Sequence, residues 1–412
     1  MTHDSTIVIA GAGQAGFQAA ASLRERGFGG KIILVGDESG LPYQHPPLSK
    51  AYLMGKMDRA ALRFRPEAFF TDNAIERRAG LRVGKIDREA RQAVLQDGVT
   101  LAYDHLILAL GARNRPLPVP GFSLDGVVQL RNIDDADMLR GFLDTGGRIV
   151  VIGAGFIGLE FASVAAERGA EVTVIETADR PMARVLSKEM SDYFRAAHEA
   201  QGIRFKFGAT AAKIVGEARV EAVETSDGAR FPADLVLVGI GVIPNTEIAA
   251  EAGLAVGNGI KVNEYLTTSD PLISAIGDCA LHPNPYAVNG SIRLESVQGA
   301  VDQARCVADR LTGHHVPYGS FPWFWSEQGS LRLQIAGLTQ PHDQIVVRNA
   351  DLDGKEGLSV YCFRAGELIG VESVNRPLDH ALARKLLAAG GKTPEPEDVA
   401  EPAFALKNWE KA

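Results

Sequence analysis

The apolar positions of this chain follow one rhythm that occurs twice. In Thr6–Glu38 a β-branched run, Thr6-Ile7-Val8-Ile9-Ala10, leads into a glycine-rich turn, an Ala/Leu-rich stretch and a second β-branched run that ends in acids. Arg148–Thr177 repeats that order and ends in Glu176 and Thr177. Each copy predicts a β-α-β unit. The runs lack polar alternation, which predicts strands of a parallel sheet buried on both faces.

Between the two copies, Leu81–Val83, Gln92–Leu95 and Leu106–Ala109 read as short strands. Pro116, Pro118 and Pro120 break regular structure and mark a crossover out of a first domain. Leu235–Val242 reads as a strand halted by Pro244-Asn245, and Ile273–Ile276 as another that ends at Gly277-Asp278. Ser296–Leu311 spaces Val297, Ala300, Val301, Ala304, Val307, Ala308 and Leu311 as one helical face. The last hundred residues change character. Leu331–Ala336, Gln344–Arg348, Leu358–Arg364 and Leu368–Val374 read as strands, followed by a helix near Asp379–Ala389. The fold class expected is α/β, with two Rossmann-like dinucleotide-binding domains and a C-terminal α+β domain. The expected boundaries are 1–113 with 245–318 for the first domain, 114–244 for the second and 319–412 for the third.

Composition narrows the function. Apolar residues make up 46% of the 412 and charged residues 23%, as in an ordinary globular protein, so bulk disorder is excluded. The net charge of −8 argues against a nucleic-acid partner. No apolar run is long enough to predict a membrane span. The three cysteines, Cys279, Cys306 and Cys362, form no C-x-x-C pair. So sparse a set fits a reduced, cytoplasmic protein and is too few for an all-cysteine iron–sulfur cluster. No histidine spacing indicates a metal site.

The two turns carry the chemistry. In Gly11-Ala12-Gly13-Gln14-Ala15-Gly16, glycines let the backbone approach a pyrophosphate, and the helix that begins there aims N–H groups and its positive end at the phosphates. Asp37 or Glu38 is placed to accept from a ribose hydroxyl. Gly153-Ala154-Gly155-Phe156-Ile157-Gly158, closed by Glu176, repeats the arrangement. Two such sites imply two dinucleotides. Glu176 would repel a 2′-phosphate, which favours NAD over NADP. Arg180 and Arg184, slightly downstream, read as solvent-exposed loop charges.

The order of these motifs resembles the two-dinucleotide flavoproteins that include glutathione reductase. Leu106–Gly111 is similar to that family's crossover motif, with Leu110 in place of its usual threonine. Thr268–Asp278 is similar to its second FAD motif. The family's disulfide reductases carry reactive cysteines just after the first β-α-β unit. This chain has Pro42-Tyr43-Gln44-His45-Pro46-Pro47-Leu48-Ser49-Lys50 there, and no cysteine before Cys279. That segment, with Gly155–Glu160, Arg293–Val297 and Pro322–Ser326, resembles the oxygenase-coupled NADH-dependent ferredoxin reductases.

The resemblance implies FAD in the first domain and NADH in the second. It implies FAD contacts from Ala15, Asp37, Lys50, Val83, Arg131, Asp278 and Val297, beside Gly11, Gly13 and Gly16. It assigns NAD contacts to Gly153, Gly155, Phe156, Ile157, Gly158, Glu160 and Glu176. Lys50 and Glu160 are the expected catalytic residues, paired beside the flavin. Phe156 lies against the flavin or packs at the helix–sheet junction. Trp323, Phe324 and Trp325 are core of the third domain, or one of them lies on a partner's route. A hydride carries two electrons and a ferredoxin cluster accepts one at a time, so FAD bridges the two. With no cluster in the chain, the expected partner is a separate [2Fe-2S] ferredoxin serving an oxygenase, a cytochrome P450 above all. Arg305 and Trp325 are expected to help dock it. An NADH oxidase and a redox-responsive binding protein like apoptosis-inducing factor are the alternatives.

Overall fold

The computed structural model describes residues 4–352 and 355–409. The chain divides into two compact units. One comprises 1–45, 59–113 and 243–320, the other 46–58, 114–242 and 321–412.

In the first unit five parallel strands lie in the order Ile273–Ala275, His105–Leu108, Thr6–Ala10, Lys31–Gly36 and Ile75–Ala79. The three central strands are almost wholly buried, as their unbroken apolar runs require. The helix Gln14–Glu25 covers one face together with Val297–Leu311, and Ala19, Ala20, Leu23, Ala304, Val307 and Ala308 share one apolar cluster. The Ala-rich faces let these two helices approach closely. Ile75–Ala79 was not apparent in the sequence. It is an edge strand whose last residues, Arg78 and Ala79, are exposed, while Arg77 is half-buried with its guanidinium 5.0 Å above the Phe70 ring. The strand expected at Leu81–Val83 runs instead over Val83–Asp87, in a small antiparallel sheet with Gln92–Leu95 and Thr100–Ala102.

The second unit repeats the parallel sheet in the order Arg204–Lys206, Glu171–Ile175, Arg148–Ile152, Leu235–Val238 and Val127–Val128. The strand expected over Leu235–Val242 ends at Val238, because Gly239 and Gly241 interrupt it. The same unit carries an antiparallel sheet in the order Trp323–Gln328, Leu331–Gly337, Glu367–Val374, Lys355–Arg364 and Gln344–Leu352. The helix Pro377–Ala389 packs on it.

The segment 46–58 joins this second unit, not the stretch that flanks it in sequence. Its polar groups explain why. Lys50 and Ser49 bond Glu160, the Tyr52 hydroxyl bonds Asp137, and the Leu53 carbonyl accepts from Arg168.

Candidate functional site

In the first unit the chain leaves the strand Thr6–Ala10 through Gly11, whose φ of 111° only glycine adopts readily. A Cβ at Gly11 would lie 2.1 Å from the Ala109 carbonyl oxygen, and one at Gly16 1.8 Å from the Gly11 oxygen. Both glycines are demanded by the fold itself. Gly13 is not. Its φ of −72° and ψ of −163° are ordinary extended backbone, and a Cβ there would meet nothing within 4 Å. Gly13 caps a helix that has no side-chain cap and no acid in its first turn. A bare positive helix end beside open space fits a diphosphate.

Ala15 and Asp37 lie at that turn, and Asp278 lies on a turn packed against it. Ala15 is buried, and its methyl lies 2.9 Å from where a Gly277 Cβ would be, so the loop packs on the turn that carries Asp278. The Gln303 side-chain oxygen accepts from the Gly277 N–H at 2.7 Å, which ties the same turn to the helix that Val297 opens. Asp37 is exposed and accepts from Arg82 Nη2 at 2.5 Å, while Glu38 accepts from the Tyr43 hydroxyl at 2.6 Å. A shallow cleft lined by Ala12, Gly13, Gly36, Asp37, Tyr43 and His45 runs along this edge. Val83 is buried at the start of the antiparallel sheet, and Arg131 belongs to the second unit.

The second glycine turn copies the first. Gly153 has a φ of 103°, and a Cβ at Gly158 would lie 2.4 Å from the Gly153 oxygen. Gly155 again caps a helix at an ordinary φ of −80°, with nothing within 4 Å of its missing Cβ. Here the acid behaves differently from Asp37. Glu176 accepts from the N–H of Ala154, inside the turn, at 2.7 Å and from that of Ala178 at 2.9 Å. Its carboxylate is therefore held against the loop. Ile157 is exposed in the first helical turn, and the Phe156 ring lies 4.5 Å from that of Phe324. Arg180 pairs with Asp179 at 3.1 Å.

One turn beyond Ile157 the same helix buries Glu160, 4% exposed. The Lys50 ammonium donates to Glu160 Oε2 at 2.6 Å and to the Pro46 carbonyl at 3.1 Å. Taking two charges out of water costs several kcal/mol per ion unless each finds good partners. Glu160 finds three donors, because Ser49 bonds Oε2 at 2.5 Å and Ser326 bonds Oε1 at 2.7 Å. The structure thus brings Lys50 and Glu160 together, as expected. The two serines were not foreseen. Ser326 alternates with Phe324 and Gln328 along one strand, a period-2 signal masked by the surrounding aromatics.

The candidate docking residues differ in availability. Arg305 is half-exposed and 3.8 Å from Asp302. Trp325 stacks on Trp323 at 5.4 Å, and Arg384 lies 4.4 Å above the Trp323 ring. All three cysteines are free, and Cys279 and Cys362 are buried. Burial pushes the Cys279 and Cys306 thiols up to about 11. Among the described residues no helix is long and apolar enough to cross a membrane.

The family model of the pyridine nucleotide-disulphide oxidoreductases matches residues 5–304. The chain belongs to that family. A second model, the reductase C-terminal domain, matches residues 323–409. Rhodocoxin reductase of Rhodococcus erythropolis is 53% identical over 404 residues, 98% of this chain and 93% of the relative. Among solved structures, the ferredoxin reductase for the CYP199A2 system from Rhodopseudomonas palustris superposes with a TM-score of 0.95 at 52% identity, covering 98% of this chain and 100% of that one. A covalent putidaredoxin reductase–putidaredoxin complex matches with a TM-score of 0.93 at 37% identity, covering 99% and 98%. This member of the family is an oxidoreductase of the ferredoxin and rubredoxin reductase type. Its cofactors are FAD and NADH, and its fold is the two-dinucleotide reductase fold with a C-terminal domain.

Proposed function

We propose that the protein passes electrons from NADH through FAD to a [2Fe-2S] ferredoxin that supplies an oxygenase, a cytochrome P450 above all. The balance is NADH plus two oxidised ferredoxins giving NAD⁺, a proton and two reduced ferredoxins. The observation that carries this reading is the Lys50–Glu160 pair, its carboxylate buried among serine donors, in a chain whose cysteines are free and whose Cys279 and Cys306 thiols burial holds above their ordinary pKa. A thiol route needs a thiolate. That supports an acceptor outside the chain. The two solved relatives named above, one a ferredoxin reductase for the CYP199A2 system and one in covalent complex with putidaredoxin, support the same choice of acceptor.

In this reading the first unit holds FAD through Gly11, Gly13, Ala15, Gly16, Asp37, Val83, Asp278 and Val297. FAD, when bound, accepts the two electrons of a hydride together and releases them singly. The second unit holds NADH through Gly153, Gly155, Phe156, Ile157, Gly158 and Glu176. Lys50 presents a fixed positive charge where negative charge develops during hydride transfer, and Glu160 keeps that charge in place.

The deciding experiment adds NADH to the holoprotein with purified two-iron ferredoxins from the same genome. Reduction of two ferredoxins per NADH, falling with salt while ferricyanide turnover holds, supports the reading. Rapid oxygen consumption without ferredoxin would establish the oxidase instead. A long-lived charge-transfer complex with NADH-dependent dimerisation would establish the redox-responsive binding protein.

A further inference from the structure

A line of buried polar groups runs away from Glu160 into the C-terminal sheet. Ser326 and Gln328 lie on the strand Trp323–Gln328, two residues apart and so on one face, and both are fully buried. The Ser326 hydroxyl donates to Glu160 Oε1 at 2.7 Å. The Gln328 amide nitrogen donates to the Ser326 oxygen at 3.3 Å, with Met182 Sδ as its other neighbour at 3.6 Å. The Gln328 carbonyl lies 2.7 Å from Nε2 of His198, a fully buried residue of the helix Lys188–Ala200.

The chemistry of these groups fixes one direction of donation. A carboxylate only accepts, so Ser326 must give its hydroxyl proton to Glu160 and accept from behind. Gln328 then points its NH₂ at Ser326 and its carbonyl at His198. His198 must carry its proton on Nε2 to satisfy that carbonyl. Burial lowers the His198 pKa, so the ring is neutral, with a single N–H to give. Donor follows donor from His198 to Glu160. Aligned donors of this kind polarise one another and strengthen the last bond in a water-poor interior.

We infer that Ser326, Gln328 and His198 are positioning residues. They hold Glu160 Oε1 so that Oε2 stays on Lys50, and they fix the Lys50 ammonium for hydride transfer. The inference rests on the role proposed above for Lys50 and Glu160. The C-terminal sheet then takes part in the chemistry through one strand. Phe324 packs on Phe156 and Ser326 on Glu160, both of the helix Phe156–Glu167, and Gln328 links Ser326 to His198.

Two readouts test this on the full-length holoprotein. One is stopped-flow flavin reduction by NADH. The other is the rate at which acetic anhydride acetylates Lys50, measured by peptide mass spectrometry against exposed Lys213. Ser326→Ala should slow hydride transfer about 10-fold, the equivalent of one charge-assisted hydrogen bond. It should also raise Lys50 acetylation several-fold, and Ser326→Thr should restore both. Gln328→Met keeps the volume and removes the donor one link further out. It should give the same two changes at about a third of the size, which guards against misfolding of the Ser326 variant. Ser326→Ala added to Lys50→Met should slow the reaction no further than Lys50→Met alone.

If Lys50→Met reduces at the native rate, the role of the ion pair in hydride transfer fails. If Lys50→Met is slow while Ser326→Ala and Gln328→Met keep the native rate and native Lys50 acetylation, the pair stands and the positioning chain is wrong.

Discussion

Gly13 and Gly155 offer a test that separates what the fold needs from what the ligands need. At both positions the backbone is one any residue adopts and the missing Cβ faces empty space. Replacing Gly13 by alanine forfeits glycine's modest advantage at a helix N-cap, about 0.5–1 kcal/mol. It also restricts the unfolded chain, which returns about 0.4–1 kcal/mol. The two offset, so the flavin-free protein should unfold within about 0.5 kcal/mol of the parent. The added methyl, however, stands where the turn must meet the FAD pyrophosphate. Overpacking at such a contact costs about 1–3 kcal/mol. That predicts FAD binding roughly 5- to 150-fold weaker. Gly155→Ala should leave FAD in place and raise the KM for NADH over the same range. Gly16→Ala is the contrast, since its Cβ at 1.8 Å from the Gly11 oxygen must displace backbone and should lower Tm even without flavin. Thermal unfolding of the apoprotein and a fluorescence titration with FAD measure both quantities. A Gly13→Ala protein that keeps its Tm and binds FAD as tightly as the parent would refute this account of the turn.

Three further outcomes follow from named contacts. Glu176 sits against the coenzyme loop, and repulsion of about 2 kcal/mol with a 2′-phosphate should favour NADH over NADPH by roughly 30-fold in kcat/KM. Equal use of the two coenzymes would remove that role, and Glu176→Gln should narrow the gap. Asp278→Ala should lose flavin on gel filtration more readily than Asp37→Ala, because Asp37 is exposed and already paired with Arg82 whereas Asp278 lies in the packed Gly277–Cys279 turn. Glu372 is fully buried on the C-terminal sheet and accepts from the Ser187 hydroxyl at 2.6 Å. Burial raises its pKa above the ordinary 4.5. Its protonated form therefore favours the folded state, a contribution fully present below pH 4.5 and lost as pH rises through the folded value. The Tm of the parent minus that of Glu372→Gln should fall as pH rises above 4.5, and a difference constant with pH would contradict the linkage.

What the sequence made legible was whatever depends on neighbours along the chain. Both glycine turns, their strands and the helix that Ser296 caps are local patterns, in which glycines answer to close backbone approach and apolar runs to two-sided burial. The Lys50–Glu160 pair, 110 residues apart, could be proposed only through a family resemblance, since neither side chain carries a local sign of its partner. The roles of Ser326, Gln328 and His198 escaped altogether. A serine and a glutamine in a strand rich in Trp and Phe look like ordinary polar alternation, and a histidine near a helix end looks like an ordinary C-terminal cation. Their meaning comes from what the third dimension sets beside them. Ser326 matters because a carboxylate oxygen lies 2.7 Å away, and His198 because its helix presses it to the Gln328 carbonyl. The regrouping of 46–58 has the same cause. That segment is tied to the second unit by the carboxylates of Glu160 and Asp137 and by Arg168, partners distant in sequence. A buried carboxylate is costly wherever it lacks donors, and Glu160, on the helix Phe156–Glu167, draws them from two separate stretches: Ser49 and Lys50 in 46–50 and Ser326 on the strand Trp323–Gln328. The least local part of the molecule is therefore the part where the proposed chemistry is concentrated.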